Sequence, residues 1–144
     1  MIAVDSNILI YAHREDSPFH QPAFESLSTL AERGATWAIP WPCLHEFLSV
    51  VTNPRVYKPA TPIDIALREV DAWLESPNLI FLTETDRHLP ELRVIAIAGR
   101  ISGALIHDAR IAALCHEHGV TELWSADRDF SRFPSLKVVN PLMR

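Results

Sequence analysis

Short apolar runs of strand length alternate along this chain with longer segments of helical period. Both kinds of element can be buried together as an α/β fold in which helices flank a largely parallel sheet. Residues 1–5 form the first expected strand, followed by a helix over Ser6–His13. Residues 19–33 read as a second helix, with Phe24, Leu27 and Leu30 on one side and Gly34 as its stop. Residues 36–39 make the second strand, and Pro42 suits the first turn of a helix that Asn53-Pro54 breaks. Thr61-Pro62 opens a helix over residues 63–75, which Ser76-Pro77 ends. A strand at Leu79–Leu82, a helix at 86–98 and a loop at 99–103 come next. A helix over 105–118 stops at Gly119, and strands at Glu122–Trp124 and 137–139 complete the pattern. A chain of 144 residues fits one domain, residues 1–144, with a substantial core; neither a repeat nor an interdomain linker interrupts it.

Four carboxylates stand where these apolar segments stop or face inward. Asp5 closes the run Met1-Ile2-Ala3-Val4, and Asp127 follows Glu122-Leu123-Trp124-Ser125-Ala126. Cys43, Glu46, Phe47 and Val50 are spaced i, i+3, i+4, i+7, so Glu46 interrupts an apolar helical face. Asp108, Ile111, Ala112 and Cys115 repeat that arrangement. In an open parallel sheet, sites form beyond the carboxyl ends of the strands. Asp5 and Asp127 leave strands at that edge, and Glu46 lies about one turn in from Pro42 on a helix that begins there. Asp108 is near the start of a helix that runs into the strand Glu122–Trp124, so the four are expected to meet. Carboxylates crowded together hold protons near neutral pH unless a cation compensates, and a hard divalent ion such as Mg²⁺ takes oxygen ligands. Each acid also has a simpler reading: a helix N-cap for Asp5 or Asp108, a turn start for Asp127, an arginine partner for Glu46. One shared site accounts for all four at once. Asp129 stands beside Asp127 as a second candidate, since Asp-x-Asp offers both.

At 48% hydrophobic and 22% charged the chain lies in the ordinary range of soluble globular proteins. No apolar stretch reaches the roughly 18–20 residues of a membrane span. The start of the chain has neither the basic region nor the apolar block of a secretory signal, so a cytoplasmic protein without membrane contact is expected. The net charge of −5 argues against nucleic-acid binding by bulk electrostatics. Local cations would have to serve instead, and Arg14, Arg55, Lys58, Arg87, Arg100, Arg110, Arg128 and Arg132 are available. Cys43 and Cys115 sit singly in apolar helical patterns and read as buried free thiols. Cys115, His116 and His118 lack the second ligand cluster of a zinc site. Among the tryptophans, Trp37, Trp73 and Trp124 fall in core-like patterns, which leaves Trp41 to stack on a base.

These residues resemble a known family. Asp5-Ser6-Asn7-Ile8-Leu9 is similar to the opening motif of PIN-domain nucleases, and His45-Glu46-Phe47 to their second acidic motif. The block from His107-Asp108-Ala109 through Ala112-Ala113 to Ser125-Ala126-Asp127-Arg128-Asp129-Phe130 resembles the third and fourth. The stretch from Glu46 to Val51-Thr52-Asn53-Pro54-Arg55-Val56, and the ending Phe133-Pro134 to Asn140-Pro141-Leu142, look like the VapC toxins of bacterial type II toxin–antitoxin (VapBC) pairs. The resemblance covers nearly the whole chain. It implies a PIN-like three-layer α/β/α fold, with Asp5, Glu46, Asp108 and Asp127 as the acidic quartet and Asn7 and Ser125 as its polar support. Ser6 stands where a threonine is common after the first aspartate, and Ser125 where one is common after the last strand; both keep the hydroxyl. The resemblance further implies Mg²⁺- or Mn²⁺-dependent endoribonuclease activity on structured RNA such as transfer or ribosomal RNA. A homodimer and a cognate antitoxin protein that covers the site also follow from it.

The chemistry expected is in-line attack of water on a phosphodiester, with Asp5 and Asp108 as direct metal ligands and Glu46 and Asp127 completing the shell, partly through water. Rival readings have weaker support. A metal-independent ribonuclease would need paired histidines, and His13, His20, His45, His88, His107, His116 and His118 show no paired arrangement. A haloacid-dehalogenase-type phosphatase needs a second aspartate where this chain has Asn7. A phospho-acceptor receiver module needs an aspartate closing a central strand and a lysine near the last strands, but Leu79–Leu82 runs into Thr83-Glu84. A catalytically inactive PIN-like interaction module is disfavoured because all four acids are present.

Overall fold

The computed structural model describes residues 1–143. Five strands, β1 (Ile2–Val4), β2 (Trp37–Pro40), β3 (Leu79–Leu82), β4 (Glu122–Trp124) and β5 (Val138–Val139), pair in the order β3-β2-β1-β4-β5. All four pairings are parallel. The helices are α1 (Ser6–His13), α2 (His20–Glu32), α3 (Trp41–Val51), α4 (Ile63–Trp73), α5 (His88–Ala98) and α6 (Ile106–Glu117). One layer contains α1 packed on α2 and α3, with α4 against α3; α5 and α6 pack on each other in the second. The expected three-layer α/β/α architecture is the one found. Among the described residues no helix is long and apolar enough to cross a membrane.

Strands covered on both faces need apolar side chains throughout, not an alternation. Thus all of Trp37, Ala38, Ile39 and Pro40 are buried in β2. The edge strand β3 is less covered, and Ile80 is 41% exposed there. Trp37 is enclosed by the core and still needs a partner for its indole N–H. It donates Nε1–H to Ser76 Oγ at 2.9 Å, and Ser76 in turn donates to the Ala31 carbonyl at 2.8 Å. Phe47 is wholly buried, its ring 4.8 Å from that of Trp73 and edge-on to His13 at 5.5 Å.

Two local expectations are corrected. Phe24 does not join Leu27 and Leu30 on the buried side of α2; it is 50% exposed, and Ala23 takes the inward position. An alanine there lets α2 approach α1 closely, which rotates the bulky neighbour to the rim. The helix expected over 105–118 is preceded by a 3-10 turn at Gly103–Leu105, and α6 proper begins at Ile106. Gly103 has φ 57°, a left-handed value that glycine adopts without Cβ strain, and it redirects the chain before α6.

The strand order positions the site. From β1 the chain steps outward to β2 and β3, then returns across the sheet so that β4 lies on the other side of β1. The paths leaving β1 and β4 therefore diverge, and a crevice opens between their carboxyl ends. Asp5 continues the pairing one residue past β1, its N–H donating to the Trp124 carbonyl at 2.9 Å.

Removing the Phe47 ring should leave a cavity between α3 and α4. Phe47→Ala is expected to cost about 3–5 kcal/mol in urea unfolding, whereas Val56→Ala, in the exposed turn after α3, should stay within about 0.5 kcal/mol. Equal losses for the two would contradict this account of the core.

Candidate metal centre

Asp5 is the structural pivot of the crevice. It closes β1 in an extended conformation, φ −80° and ψ 161°, and caps α1 by accepting the Ser6 N–H at 2.7 Å on Oδ1. The carboxylate is only 4% exposed, so its charge needs donors. Oδ1 also accepts the Cys43 thiol at 3.3 Å and faces the Ser6 hydroxyl at 3.4 Å. Oδ2 accepts the Ser125 hydroxyl at 2.7 Å and the Asn7 amide at 3.2 Å. Burial still pushes this carboxyl above its ordinary value, against the pull of the Ser125, Ser6 and Cys43 hydrogen bonds, and Asp127 adds to the rise.

Asn7 and Ser125 stitch the two strand ends together. Asn7 Nδ2 also reaches Ser125 Oγ at 3.2 Å, and its Oδ1 accepts the Ala126 N–H at 3.1 Å. Ser125 Oγ accepts the Asp127 N–H at 3.0 Å. Asp127 then caps the 3-10 turn Arg128–Arg132, accepting the Asp129 N–H at 2.8 Å. These bonds run from Asp5 to Asp129 without a cationic side chain.

Asp108 enters from the third layer. It is the third residue of α6, half-buried, while Ile111, Ala112 and Cys115 behind it are fully buried. It makes no N-cap hydrogen bond, so the capping role open to it in the sequence belongs to Asp5 alone. Carboxylate oxygens of Asp108, Asp127 and Asp129 all lie within 4.8 Å of one another. Burial first, then the charges of Asp127, Asp5, Asp129 and Glu46, push the Asp108 carboxyl up to about 6.

Glu46 departs from the expected burial. Cys43 and Phe47 carry the buried face of α3, and Glu46 opens to solvent at its border. Among the described residues it has no ion-pair partner. Desolvation raises its carboxyl, Asp5 and Asp127 raise it further, and Ser6 and His107 pull it down. Glu46 therefore shares the field of the other acids without joining the close trio.

The structure also assigns roles that the sequence left open. Both members of the Asp127/Asp129 pair belong to the trio. Cys43 is buried as expected, yet it is more than filler, because its thiol donates to Asp5. Its spacing of three residues from Glu46 was the available signal, since that places both on one side of α3. Several of the candidate cations are engaged elsewhere. Arg14 pairs with Asp16 at 2.6 Å, Arg110 with Glu84 at 2.6 Å, and Arg87 donates to the Glu117 carbonyl.

An all-oxygen set of clustered carboxylates, one with its ionisation held back by burial and by its neighbours, suits a hard divalent cation; nothing in it favours a soft thiophilic metal.

The PIN domain family model matches residues 2–136 of this chain. The chain is 39% identical over 143 residues to the VapC ribonuclease Mb2897 of Mycobacterium bovis, covering 99% of this chain and 96% of that one. Its fold is similar to VapBC2 from Rickettsia felis bound to a promoter DNA fragment. The TM-score is 0.67 at 22% identity, over 97% of this chain and 98% of that one. It is also similar to VapC20 of Mycobacterium tuberculosis, described as a sarcin-ricin-loop-cleaving toxin, with a TM-score of 0.63 at 15% identity over 91% and 93% of the two chains.

The raised Asp108 carboxyl has a stability consequence. Between its ordinary value of 3.8 and about 6, the folded protein keeps a proton that the unfolded chain releases, so Asp108 costs stability as pH rises through that window. Asp108→Asn is therefore expected to gain in melting temperature relative to wild type between pH 4 and pH 7, in buffer free of divalent ions. Millimolar Mg²⁺ at pH 7.5 should raise the melting temperature of wild type and not of the variant. Parallel pH curves and no Mg²⁺ response would refute the reading of this cluster as charge awaiting a cation.

Proposed function

The chain belongs to the PIN-domain family, and from that premise we propose that it is a Mg²⁺- or Mn²⁺-dependent endoribonuclease acting as the toxin of a type II toxin–antitoxin pair. The observation that carries this reading is the convergence of Asp108, Asp127 and Asp129 beside the buried Asp5, with Glu46 at the rim and, among the described residues, no ion-pair partner for any of the five. The ribonuclease names of the relatives support the substrate class, structured RNA such as transfer or ribosomal RNA. Likeness to VapBC complexes supports a cognate antitoxin protein as partner. Leu89, Val94 and Ile97 stand 60%, 66% and 72% exposed on α5, apolar surface of the kind a homodimer would cover.

Asp108, Asp127 and Asp129 would hold the cation, with Asp5 and Glu46 completing its surroundings. When bound, a divalent cation supplies Lewis-acid polarisation of a phosphoryl oxygen and acidifies water at neutral pH. The residues do the rest. Asn7 and Ser125 fix both Asp5 oxygens so that this carboxylate cannot turn away. Ser125 and the Asp127 cap set the turn that presents Asp129. Glu46, open to solvent, orients the attacking water and accepts its proton. In-line attack on phosphorus expels the 3′-oxygen, leaves a 5′-phosphate, and requires no 2′-hydroxyl at the cleaved position.

Purified wild type is expected to cut RNA with Mg²⁺ or Mn²⁺, to stop in EDTA, and to give 5′-phosphate ends. Asp5→Asn should lower kcat by at least about 100-fold, more than loss of an outer supporting group costs. Cleavage that persists in EDTA with cyclic phosphate ends, or equal rates for wild type and Asp5→Asn, would end this assignment.

A further inference from the structure

Trp41 is the tryptophan of this chain whose ring lies open. Trp37 is fully buried and bonded to Ser76, Trp73 is 8% exposed, and Trp124 donates its indole N–H to Glu122 at 2.9 Å. Trp41 is 39% exposed. Its ring does not swing freely. Phe81, near the carboxyl end of β3, stacks on it at 4.5 Å and 23°, and His45, one turn along α3, lies 5.9 Å away at 33°. A bulky aromatic held half in water by a second aromatic is already ordered before anything binds.

Its place matters as much as its exposure. Trp41 opens α3 directly after β2, the neighbour of β1, whose end carries Asp5. Adjacent strands are about 4.8 Å apart, so Trp41 starts at the same sheet edge as the acids. Glu46 follows five residues later on the same helix, a rise of about 7.5 Å. Trp41 thus begins at the edge that carries the acids, with its ring turned toward β3 and Phe81.

The charge balance gives this platform a task. The chain has a net charge of −5, and the crevice itself is ringed by carboxylates. A polyanion gains little from that field, so contacts that carry no charge must supply much of its hold. Stacking of a base on an aromatic ring does so, and tolerates any base because each has a π-face. Bases inside a duplex are already stacked on one another and offer no such face.

Building on the ribonuclease reading above, we propose that Trp41, braced by Phe81, is a stacking platform for an unpaired base of the RNA close to the cleaved phosphodiester. The preferred substrate segment is then a loop or single strand. Duplex RNA is held less well, and the preference for unpaired bases resides in Trp41, not in the metal centre.

The test uses a short single-stranded RNA carrying 2-aminopurine, whose fluorescence falls when the base stacks on a ring. Binding is read in the full-length Asp108→Asn background without divalent ions, so neither metal nor cleavage enters. The single strand should be quenched and its duplex form not. Trp41→Ala should weaken binding about tenfold and abolish quenching. Trp41→Phe should keep most of both. Trp41→Leu, which retains apolar packing on Phe81, should behave like alanine and guards against a folding defect in the smaller variant. Unchanged affinity and quenching in Trp41→Ala and Trp41→Leu would overturn the proposal, as would absence of binding by the parent. A change of oligomeric mass on Trp41→Ala would overturn it too, by assigning this face to a contact between copies. Quenching that depends on Trp41 in a protein that cuts no RNA would sink the nuclease reading alone. Normal cleavage with no dependence of binding on Trp41 would sink the stacking platform alone.

Discussion

A carboxylate withdrawn from water at the end of the central strand sets the terms for everything around it. Asp5 needs its four nearest donors, Ser6, Cys43, Asn7 and Ser125, and those donors come from three different parts of the fold. Satisfying one buried charge therefore ties β1 to the loop after β4 and to the first turns of α3. The same bonds fix the backbone that carries Asp127 and Asp129. Removing a donor would leave buried polarity unpaired, which costs more than the bond itself contributes.

The arrangement keeps repulsion in place. Five acids share one crevice, and among the described residues no lysine or arginine forms an ion pair with any of them; Arg14, Arg110 and Arg87 are spent on Asp16, Glu84 and a helix-end carbonyl. A fold tolerates such a concentration because Asp5, Glu46, Asp108 and the turn carrying Asp127 and Asp129 belong to separate elements, each stabilised by its own packing. Burial first, and then the charges of the other acids, push the Asp108 carboxyl up to about 6 where 3.8 is ordinary. Shifts of this kind cluster at functional sites, where charge is arranged for a ligand and not for the resting protein.

Much of this was legible in the chain. The five strands and six helices fall within a residue or two of where apolar runs, Pro42, Asn53-Pro54 and Gly119 place them. The acids at 5, 46, 108 and 127 were visible as polar interruptions of apolar patterns. What periodicity cannot give is depth. It shows which side of a helix a residue is on but not how close the neighbouring layer comes, so the pattern points Phe24 inward where Ala23 is buried, and sets Glu46 in an apolar face that it only borders. A thiol in an apolar pattern likewise looks inert until its neighbour across the sheet edge is known to be a carboxylate.

By itself, the sequence determined that strands and helices alternate, that the sheet is parallel and doubly covered, and that acids close or interrupt its buried segments. These follow from local propensity and apolar spacing, which act over a few residues. Only the tertiary structure decided that β4 lies beside β1, that Asp129 joins Asp108 and Asp127, and that Phe81 braces Trp41. Those facts depend on which strand the chain returns to after α6. That choice is made by long-range packing of whole layers, which no short stretch of residues encodes.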